Sequence, residues 1–214
     1  MKALFADRPF NEKYHLGAVN SINWARILAQ TVYYFLAYFH VRKQIPHPEN
    51  SKIQFVVPTG NFGDVLAGYY AKRMGLPMSK LVVATNSNDI LARFWRSGRY
   101  EQVDSTPTPT PDGGLGPSDG KSVDGGVQAT LSPAMDILVS SNFERLLWYL
   151  AYESSSNAAS DSARRASAGV TIDSWMKSVK TNGRVEVPVE VLELARQDFL
   201  AERVSDDQVC VLRA

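Results

Sequence analysis

A strand–helix–strand–helix succession in the first half of the chain is the sequence feature that most constrains the fold. Residues 53–57 (IQFVV) and 81–85 (LVVAT) are short runs rich in β-branched and apolar residues, which is typical of buried strands. The segments 63–74 and 89–97 have apolar residues at helical spacing, and each is followed by a glycine. Consecutive strands that are joined through a helix lie parallel in one sheet. The pattern therefore predicts an α/β fold that contains a parallel βαβα sheet unit.

Additional helices are predicted on both sides of this unit. Residues 21–41 have the pattern of a long helix, which Asn20 or Ser21 can cap by accepting a main-chain hydrogen bond. Apolar residues recur on this helix at three- and four-residue steps, and we expect them to form a broad buried face: Ile22, Ala25, Ala29, Val32, Tyr33 and Leu36. The second half is predicted to contain helices over 143–153, 172–180 and 188–203 and a short strand over 184–187.

Local composition divides the chain into four parts. Residues 1–102 are predicted to form the α/β part, and residues 129–207 a mainly helical part, which includes a Ser- and Ala-rich low-complexity stretch over 154–167. Between these parts, residues 103–128 are dense in Pro, Gly, Ser, Thr and Asp, which predicts an insertion or a disordered loop. Residues 208–214 are expected to be an irregular tail.

Overall composition excludes several classes of protein. Of 214 residues, 44% are hydrophobic and 21% charged, which is ordinary for a soluble globular chain and not for a coiled coil or a collagen. The net charge of +1 gives no global field that would attract nucleic acid or an acidic membrane, so neither partner is expected. The single cysteine, Cys210, excludes an intrachain disulfide, and the three histidines are too scattered to predict a metal site.

The first residues lack the apolar core of a secretory signal, and the most apolar segment, 22–41, is interrupted by polar residues such as Arg26 and Gln30. We therefore expect a cytoplasmic protein that has no membrane span.

The most informative local string is VVPTGNFGD, the turn at 56–64 between the first strand and its helix. In a parallel sheet such a turn lies at the carboxyl end of the strand, where ligands usually bind. Gly60 and Gly63 permit positive φ and close backbone approach, and the free amides with the positive end of the helix can cradle a phosphate monoester. In the alternative interpretation, the glycines only make a tight turn, and Asn61 or Asp64 caps the helix. The string is neither a Walker A loop nor a GxGxxG turn.

Several long strings resemble threonine synthases of the fungal and bacterial type. They are FNEKYHLGAVNSINWARILAQ at 10–30, GNFGD at 60–64, GYYAKRMGLP at 68–77, LVVATNSNDILARF at 81–94 and ATLSPAMDILVSSNFERLLWYL at 129–150. The resemblance covers nearly the whole chain except residues 104–127 and the last few residues. Because the strings are long and follow in one order, they are far more specific than a lone glycine motif.

The resemblance implies a fold-type II pyridoxal-phosphate enzyme that converts O-phospho-L-homoserine and water into L-threonine and phosphate. It implies that pyridoxal 5'-phosphate is the cofactor and that the turn holds its phosphate through five residues: Gly60, Asn61, Phe62, Gly63 and Asp64. It also makes Asn20, Ser21 and Asn23 candidates for contacts with the small-molecule substrate, although helix capping explains these three residues equally well.

The resemblance also implies what the sequence lacks. The family's Schiff-base lysine lies in a Ser/Thr-Phe-Lys-Asp type of string, and no such string is present. The family's hydroxyl residue beside the pyridine nitrogen lies in a region that is also absent. We therefore expect an internal, incomplete fragment without a catalytic residue of its own, inactive by itself, and either monomeric or associated with a complementing chain. The alternative function is a non-catalytic remnant or pseudoenzyme that binds phosphate-bearing metabolites or a full-length homologue.

Overall fold

The computed structural model describes residues 7–16, 20–46, 51–102, 122–123, 126–156 and 159–211. The helices are α1 (Arg8–Tyr14), α2 (Trp24–Arg42), α3 (Gly63–Arg73), α4 (Ile90–Ser97), α5 (Phe143–Ser154), α6 (Asp161–Asn182), α7 (Val189–Asp198) and α8 (Asp206–Val211). The strands are β1 (Val56–Pro58), β2 (Leu81–Thr85), β3 (Arg99–Glu101), β4 (Ser122–Val123), β5 (Val127–Gln128), β6 (Arg184–Glu186) and β7 (Phe199–Arg203). One turn of 3₁₀ helix covers Pro133–Met135.

The central sheet of the described chain is parallel, with the strand order β1-β2-β7. Val57 pairs with Val83, and Val83 pairs in turn with Ala201. Because α3 connects β1 to β2 and α4 follows β2, the predicted α/β class with a parallel βαβα unit is confirmed. The carboxyl ends of all three strands meet at one edge of the sheet, which brings the turns that follow them together.

Strand β7 corrects a sequence prediction. The expected helix over 188–203 is wrong at its end, because α7 stops at Asp198 and the next five residues join the sheet. Phe199 pairs with Leu81 and is fully buried, whereas Leu200 on the opposite face is 44% exposed. Pairing with β2 and burial of one apolar side chain override the local helical preference of the string FLAER.

Two helix starts differ from the sequence predictions for a shared reason, a polar N-cap. α6 begins within the expected low-complexity stretch 154–167, and the Ser160 hydroxyl accepts a 3.2 Å hydrogen bond from a main-chain N–H of its first turn. α8 occupies residues expected to belong to an irregular tail from 208 onwards. Ser205 and Gln208 cap it reciprocally, since each side-chain oxygen accepts from the other residue's main-chain N–H, at 2.8 and 3.4 Å.

The predicted buried face of the helix over 21–41 is wrong. All six residues expected on that face are exposed: Ile22, Ala25, Ala29, Val32, Tyr33 and Leu36. The buried residues of α2 are Ile27, Thr31, Tyr34 and Tyr38, on the face that packs against α3. The helix carries apolar side chains on more than one face, and only the face toward α3 is covered within the described chain.

Most of the predicted insertion 103–128 lies outside the described residues. Within it, β4 and β5 pair in an antiparallel ladder, with Val123 opposite Val127. The division into four parts stays a prediction.

In the described part of the chain, no helix is both long and apolar enough to cross a bilayer.

The core between the sheet and the helices is aromatic and is centred on Phe62. Its ring is 1% exposed and contacts rings from three other elements. The ring centroids lie 6.0 Å from Trp95 on α4, 5.3 Å from Phe143 on α5 and 6.2 Å from Phe199 on β7. Because Phe62 immediately precedes α3, this cluster fixes where that helix begins relative to the sheet.

The close packing of α2 on α3 depends on Gly68. A Cβ at this position would lie 2.6 Å from the ring of Tyr34, which is itself buried. The Tyr34 hydroxyl donates to the main-chain O of Asp64. We expect Gly68→Ala to lower the free energy of unfolding by about 1–3 kcal/mol, because the Tyr34 ring would have to move away from this hydrogen bond. A shift in the urea midpoint, followed by circular dichroism, measures this change.

Gly169→Ala in α6 is the matched control. Beyond the helix's own backbone, no atom lies within 4 Å of an added Cβ there. That substitution should raise the free energy of unfolding by up to about 1 kcal/mol, through helix propensity alone. Equal tolerance of the two alanines would contradict the described packing of α2 on α3.

Candidate functional site

A cleft of about 150 Å³ opens where β1 ends. The turn between β1 and α3 forms one wall, from Pro58 to Val65. Three residues at the start of α2 and just before it form the opposite wall: Ser21, Arg26 and Gln30. The structure therefore brings the predicted phosphate turn and one of the predicted substrate residues, Ser21, to the same cleft.

The main-chain N–H groups of the turn are the distinctive feature of this cleft. Thr59 N donates to Ala84 O at 2.8 Å and so belongs to the sheet, and the α3 ladder starts with Leu66 N donating to Phe62 O at 3.0 Å. Between them, the N–H groups of residues 60–65 have no hydrogen-bond acceptor among the described residues. Consecutive free N–H groups at the positive end of a helix favour an anion.

The two glycines of the turn act through close approach and not through positive φ. Neither Gly60 nor Gly63 adopts the positive φ that a glycine permits, and Phe62 is the left-handed residue of the turn, at +62°. A Cβ on Gly60 would lie 2.9 Å from the main-chain O of Ala134. A Cβ on Gly63 would lie 3.3 Å from Ile27 Cδ1. Each glycine therefore lets another segment pack directly against the turn.

The side chains of the turn have different roles from those the sequence suggests. Phe62 occupies the N-cap position of α3 but makes no side-chain cap, and its ring points into the core, so only its main chain can contact a ligand. Asn61 and Asp64 do not cap the helix either. Asn61 Oδ1 accepts from Ser141 Oγ at 3.3 Å. Burial raises the pKa of the Asp64 carboxyl, and the Tyr34 hydroxyl donates to the Asp64 main-chain O at 2.8 Å.

The turn before α2 combines capping with exposure to the cleft. Asn23 caps the helix by accepting from Ala25 N at 2.9 Å, so the expected cap by Asn20 or Ser21 is wrong. Asn20 Oδ1 accepts from Ile22 N at 3.2 Å and stabilises the turn itself. Of the three candidate substrate residues, Ser21 is the one that lines the cleft, while the described side-chain bonds of Asn20 and Asn23 hold the backbone.

Arg26 and Gln30 are cleft residues that sequence reasoning missed. They lie four residues apart on α2 and share one face. Arg26 brings a permanent positive charge to the wall opposite the turn. The buried Oε1 of Gln30 has no hydrogen-bond partner among the described residues. The available signal was a pair of polar residues at helical spacing inside an otherwise apolar segment.

Residues directly before α5 connect the two walls, and the sequence gives no local sign of this role. Ser140 Oγ donates to Gly60 O at 2.8 Å. Asn142 Nδ2 donates to Ser21 O at 2.7 Å and to Asn61 O at 3.0 Å. These contacts join segments that are about 80 and 120 residues apart in sequence.

A second polar network supports the outer side of the turn. Asn86 follows β2, and its Nδ2 donates to Asp136 Oδ1 at 2.7 Å and to Thr130 Oγ1 at 2.8 Å. Asp136 also accepts from Thr130 N at 3.0 Å, which closes this segment on itself. The closed segment places the Ala134 carbonyl against Gly60, in the space that a side chain would fill.

The described residues contain no group of three or more His, Cys, Asp or Glu side chains that could hold a metal ion.

The architecture and the turn define a class of protein. A parallel sheet, a glycine turn whose N–H groups have no acceptor among the described residues, and a cation on the opposite wall make an α/β fold with a cleft that suits an anion.

Comparison with known proteins identifies threonine synthases as relatives of this chain. No family model matches the chain. The threonine synthase of Schizosaccharomyces pombe is 52% identical over 208 residues, which are 97% of this chain and 37% of that protein. The crystal structure of threonine synthase from yeast matches with a TM-score of 0.77 and 50% identity, over 96% of this chain and 34% of that one. A PLP-bound threonine synthase from Brucella melitensis matches at 0.73 and 38% identity, over 97% and 36%.

The chain is a homologue of the threonine synthases, and the resemblance indicated by its sequence strings is confirmed. It spans about a third of the length of the relatives that it matches.

Asp64 is an acidic residue of the cleft lining. Since burial raises the pKa of its carboxyl, the folded state binds a proton there more readily than the unfolded state does. Its contribution to stability is therefore present at low pH and is lost as the pH rises through the raised pKa. We expect Asp64→Asn to stabilise the chain at neutral pH and to tighten sulfate binding there by about fivefold, on the order of 1 kcal/mol.

Calorimetric titration with sulfate between pH 4 and pH 8 checks this prediction, because sulfate keeps its charge over that range. Wild-type affinity should rise as the pH falls, and the variant should lose most of this dependence. Asp173→Asn, at an exposed position on α6, is the control and should behave like the wild type. An unchanged pH profile in Asp64→Asn would show that this carboxylate does not act on the cleft.

Proposed function

We propose that the chain supplies the phosphate-binding segment of a threonine synthase. The reaction is the conversion of O-phospho-L-homoserine and water into L-threonine and phosphate, a carbon–oxygen lyase step in threonine biosynthesis. The observation that carries the proposal is the run of free main-chain N–H groups from Gly60 to Val65 at the cleft. The 52% identity to a threonine synthase over almost the whole chain supports it. A cytoplasmic location remains part of the proposal.

The turn fits the phosphate group of pyridoxal 5'-phosphate. In this proposal the main-chain N–H groups of five residues hold it: Gly60, Asn61, Phe62, Gly63 and Asp64. These donors need no side-chain rearrangement, and the positive end of α3 adds to their attraction for the anion. The bound cofactor would supply the electron-withdrawing ring that the reaction needs. The buried Phe62 ring keeps the donors fixed while the ligand binds.

The opposite wall suits the substrate. O-phospho-L-homoserine carries a phosphate and a carboxylate, and a guanidinium can bind either group through two parallel hydrogen bonds. We propose that Arg26 supplies this contact and that the Ser21 hydroxyl adds another, since both line the cleft. Asn20 and Asn23 contribute by holding the turn that presents Ser21.

Among the described residues that line the cleft there is no lysine. A lysine amine is the group that forms the covalent link and moves the protons in this class of chemistry. We therefore propose that the chain alone is inactive and that the lysine comes from a further polypeptide segment. The same lack of lysine favours the second candidate, a remnant that only binds phosphate-bearing metabolites.

The exposed apolar face of α2 indicates where that further segment packs. We call this face the α2 stripe: Trp24, Leu28, Val32, Leu36 and Phe39, each between 53% and 65% exposed. A surface of this kind usually marks an interface. Since the chain spans about a third of its relatives' length, we propose that the remaining part of a threonine synthase covers the stripe, either within one polypeptide or as a complementing chain.

The proposed binding can be tested on the purified chain with pyridoxal 5'-phosphate and inorganic phosphate. We expect pyridoxal phosphate to bind through its phosphate, so inorganic phosphate should compete with it. Gly60→Ala should weaken binding tenfold or more, because the Cβ pushes the turn away from Ala134. Gly169→Ala is the control and should bind normally. After borohydride reduction, peptide mapping should find no stoichiometric lysine adduct. One stoichiometric reduced lysine would refute the proposed inactivity, and binding insensitive to Gly60→Ala would refute the proposed site.

A chimera tests both the catalytic proposal and the α2 stripe. It is the threonine synthase of S. pombe with its matched 208 residues replaced by this chain. The chimera should form threonine from O-phospho-L-homoserine. Leu28→Glu and Leu36→Glu should each lower its melting temperature by several degrees, because a carboxylate would be buried in an apolar contact. The same variants should leave the isolated chain nearly unchanged.

Val170→Glu, at a 72% exposed apolar position on α6, is the matched control for the stripe. Equal effects of Leu28→Glu and Val170→Glu on the chimera would contradict coverage by the rest of the enzyme. A dimer of the isolated chain that Leu28→Glu dissociates would assign the stripe to a second copy instead. A stable chimera that binds pyridoxal phosphate but makes no threonine would favour the binding remnant.

A further inference from the structure

We infer that Asn142 is a positioning residue that aims the main-chain N–H groups of the phosphate turn and couples this turn to the Ser21 turn. The inference rests on the proposed function, because it concerns the same cleft. Asn142 does not line the cleft and would touch no ligand, so it would act only through the backbone that it holds.

All the hydrogen-bonding groups of Asn142 are engaged, and the residue is 0% exposed. Its Nδ2 donates to Ser21 O at 2.7 Å and to Asn61 O at 3.0 Å. Its main-chain N also donates to Asn61 O, at 3.1 Å. A buried amide with this many partners is expensive to replace, because each partner would be left without a hydrogen bond.

Arg145 fixes which way the Asn142 amide points. Its Nη1 donates to Asn142 Oδ1 at 3.0 Å, so the oxygen must face the guanidinium and the Nδ2 must face the two turns. Nη2 of the same side chain donates to Ile22 O at 2.6 Å. One arginine thus orients the amide and also binds the turn before α2 directly.

The hydrogen bonds to the carbonyls of Gly60 and Asn61 also determine where the N–H groups of the turn point. In a trans peptide the C=O and the following N–H point in opposite directions. Ser140 and Asn142 hold the carbonyls of Gly60 and Asn61 on the side of α5. The N–H groups of Asn61 and Phe62 belong to the same two peptides, so they are directed away from α5.

A ligand that binds the phosphate turn should therefore also stabilise the Ser21 turn on the opposite wall. The described hydrogen bonds link the two turns through Asn142 and through Ser141, whose Oγ lies 3.3 Å from both Ser21 Oγ and Asn61 Oδ1. The Ser141 contacts are long and exposed, whereas those of Asn142 are shorter and more buried. Asn142 is thus the principal connection.

The test compares Asn142→Asp with the wild-type chain. Aspartate has the same shape and can still pair with Arg145, but it replaces the Nδ2 donor by an acceptor that faces two carbonyl oxygens. We expect the affinity for inorganic phosphate and for pyridoxal phosphate to fall by about tenfold or more, as for the loss of buried hydrogen bonds. Asn182→Asp, at an exposed residue whose Nδ2 lies 3.4 Å from Ser178 Oγ, is the control and should bind normally.

Hydrogen–deuterium exchange supplies a readout that general destabilisation does not reproduce. Without ligand, Asn142→Asp should accelerate exchange in 20–26, whose N–H groups are hydrogen-bonded, while leaving β2 and α6 unchanged. With phosphate, the wild type should gain protection in both 20–26 and 60–66, and the variant should not gain it in 20–26. Ser140→Ala should reduce the phosphate-dependent protection in 60–66 only, because the Ser140 hydroxyl binds Gly60 O.

The outcomes separate this inference from the proposed function. Unchanged ligand-free exchange in 20–26 of Asn142→Asp would overturn the inference even if the wild type binds phosphate. Faster exchange throughout the chain would also overturn it, since it would show a purely structural role. If the wild type binds neither phosphate nor pyridoxal phosphate, the proposed function fails, and ligand-free exchange alone decides whether Asn142 couples the turns.

Discussion

The buried ring of Phe62 is the contact on which the rest of the site depends. Phe62 has a left-handed backbone, a conformation that is unfavourable for a residue with a side chain and persists only where the surroundings enforce it. The enforcing contacts are rings from α4, α5 and β7, so the turn is held by elements far apart in sequence. Because α3 starts at the next residue, the same contacts determine where its free N–H groups lie.

Apolar contacts fix the position of the phosphate turn, and hydrogen bonds fix the orientation of its peptide groups. The aromatic cluster fixes the position of the turn, but dispersion and burial are not directional and cannot orient a peptide plane. Hydrogen bonds from Ser140 and Asn142 supply that orientation, and the network around Asp136 closes the outer side. The glycines are needed because these supporting segments come so near. A larger residue at Gly60 would separate the turn from the segment that supports it.

Sequence reasoning succeeded where structure is decided locally. β2 has the predicted bounds, and α4 ends at Ser97, directly before the glycine that was predicted to follow it. It failed where distant partners decide: β7 is a strand because β2 pairs with it, and one face of α2 is buried because α3 covers it. The string GNFGD could indicate an anion site, but the role of Asn142 could not be seen. Its side-chain partners in the turns lie 81 and 121 residues away.

Anion binding and proton transfer require different groups, and the described cleft lining is suited to the first. A cradle of main-chain N–H groups requires a strand, a turn, a helix and supporting contacts, which the described residues between Asn20 and Phe199 supply. A base that moves protons needs a titratable side chain at the reacting carbon, and the described cleft lining includes no lysine. In the proposed function, the exposed α2 stripe is the apolar surface on which the polypeptide that supplies this lysine would pack.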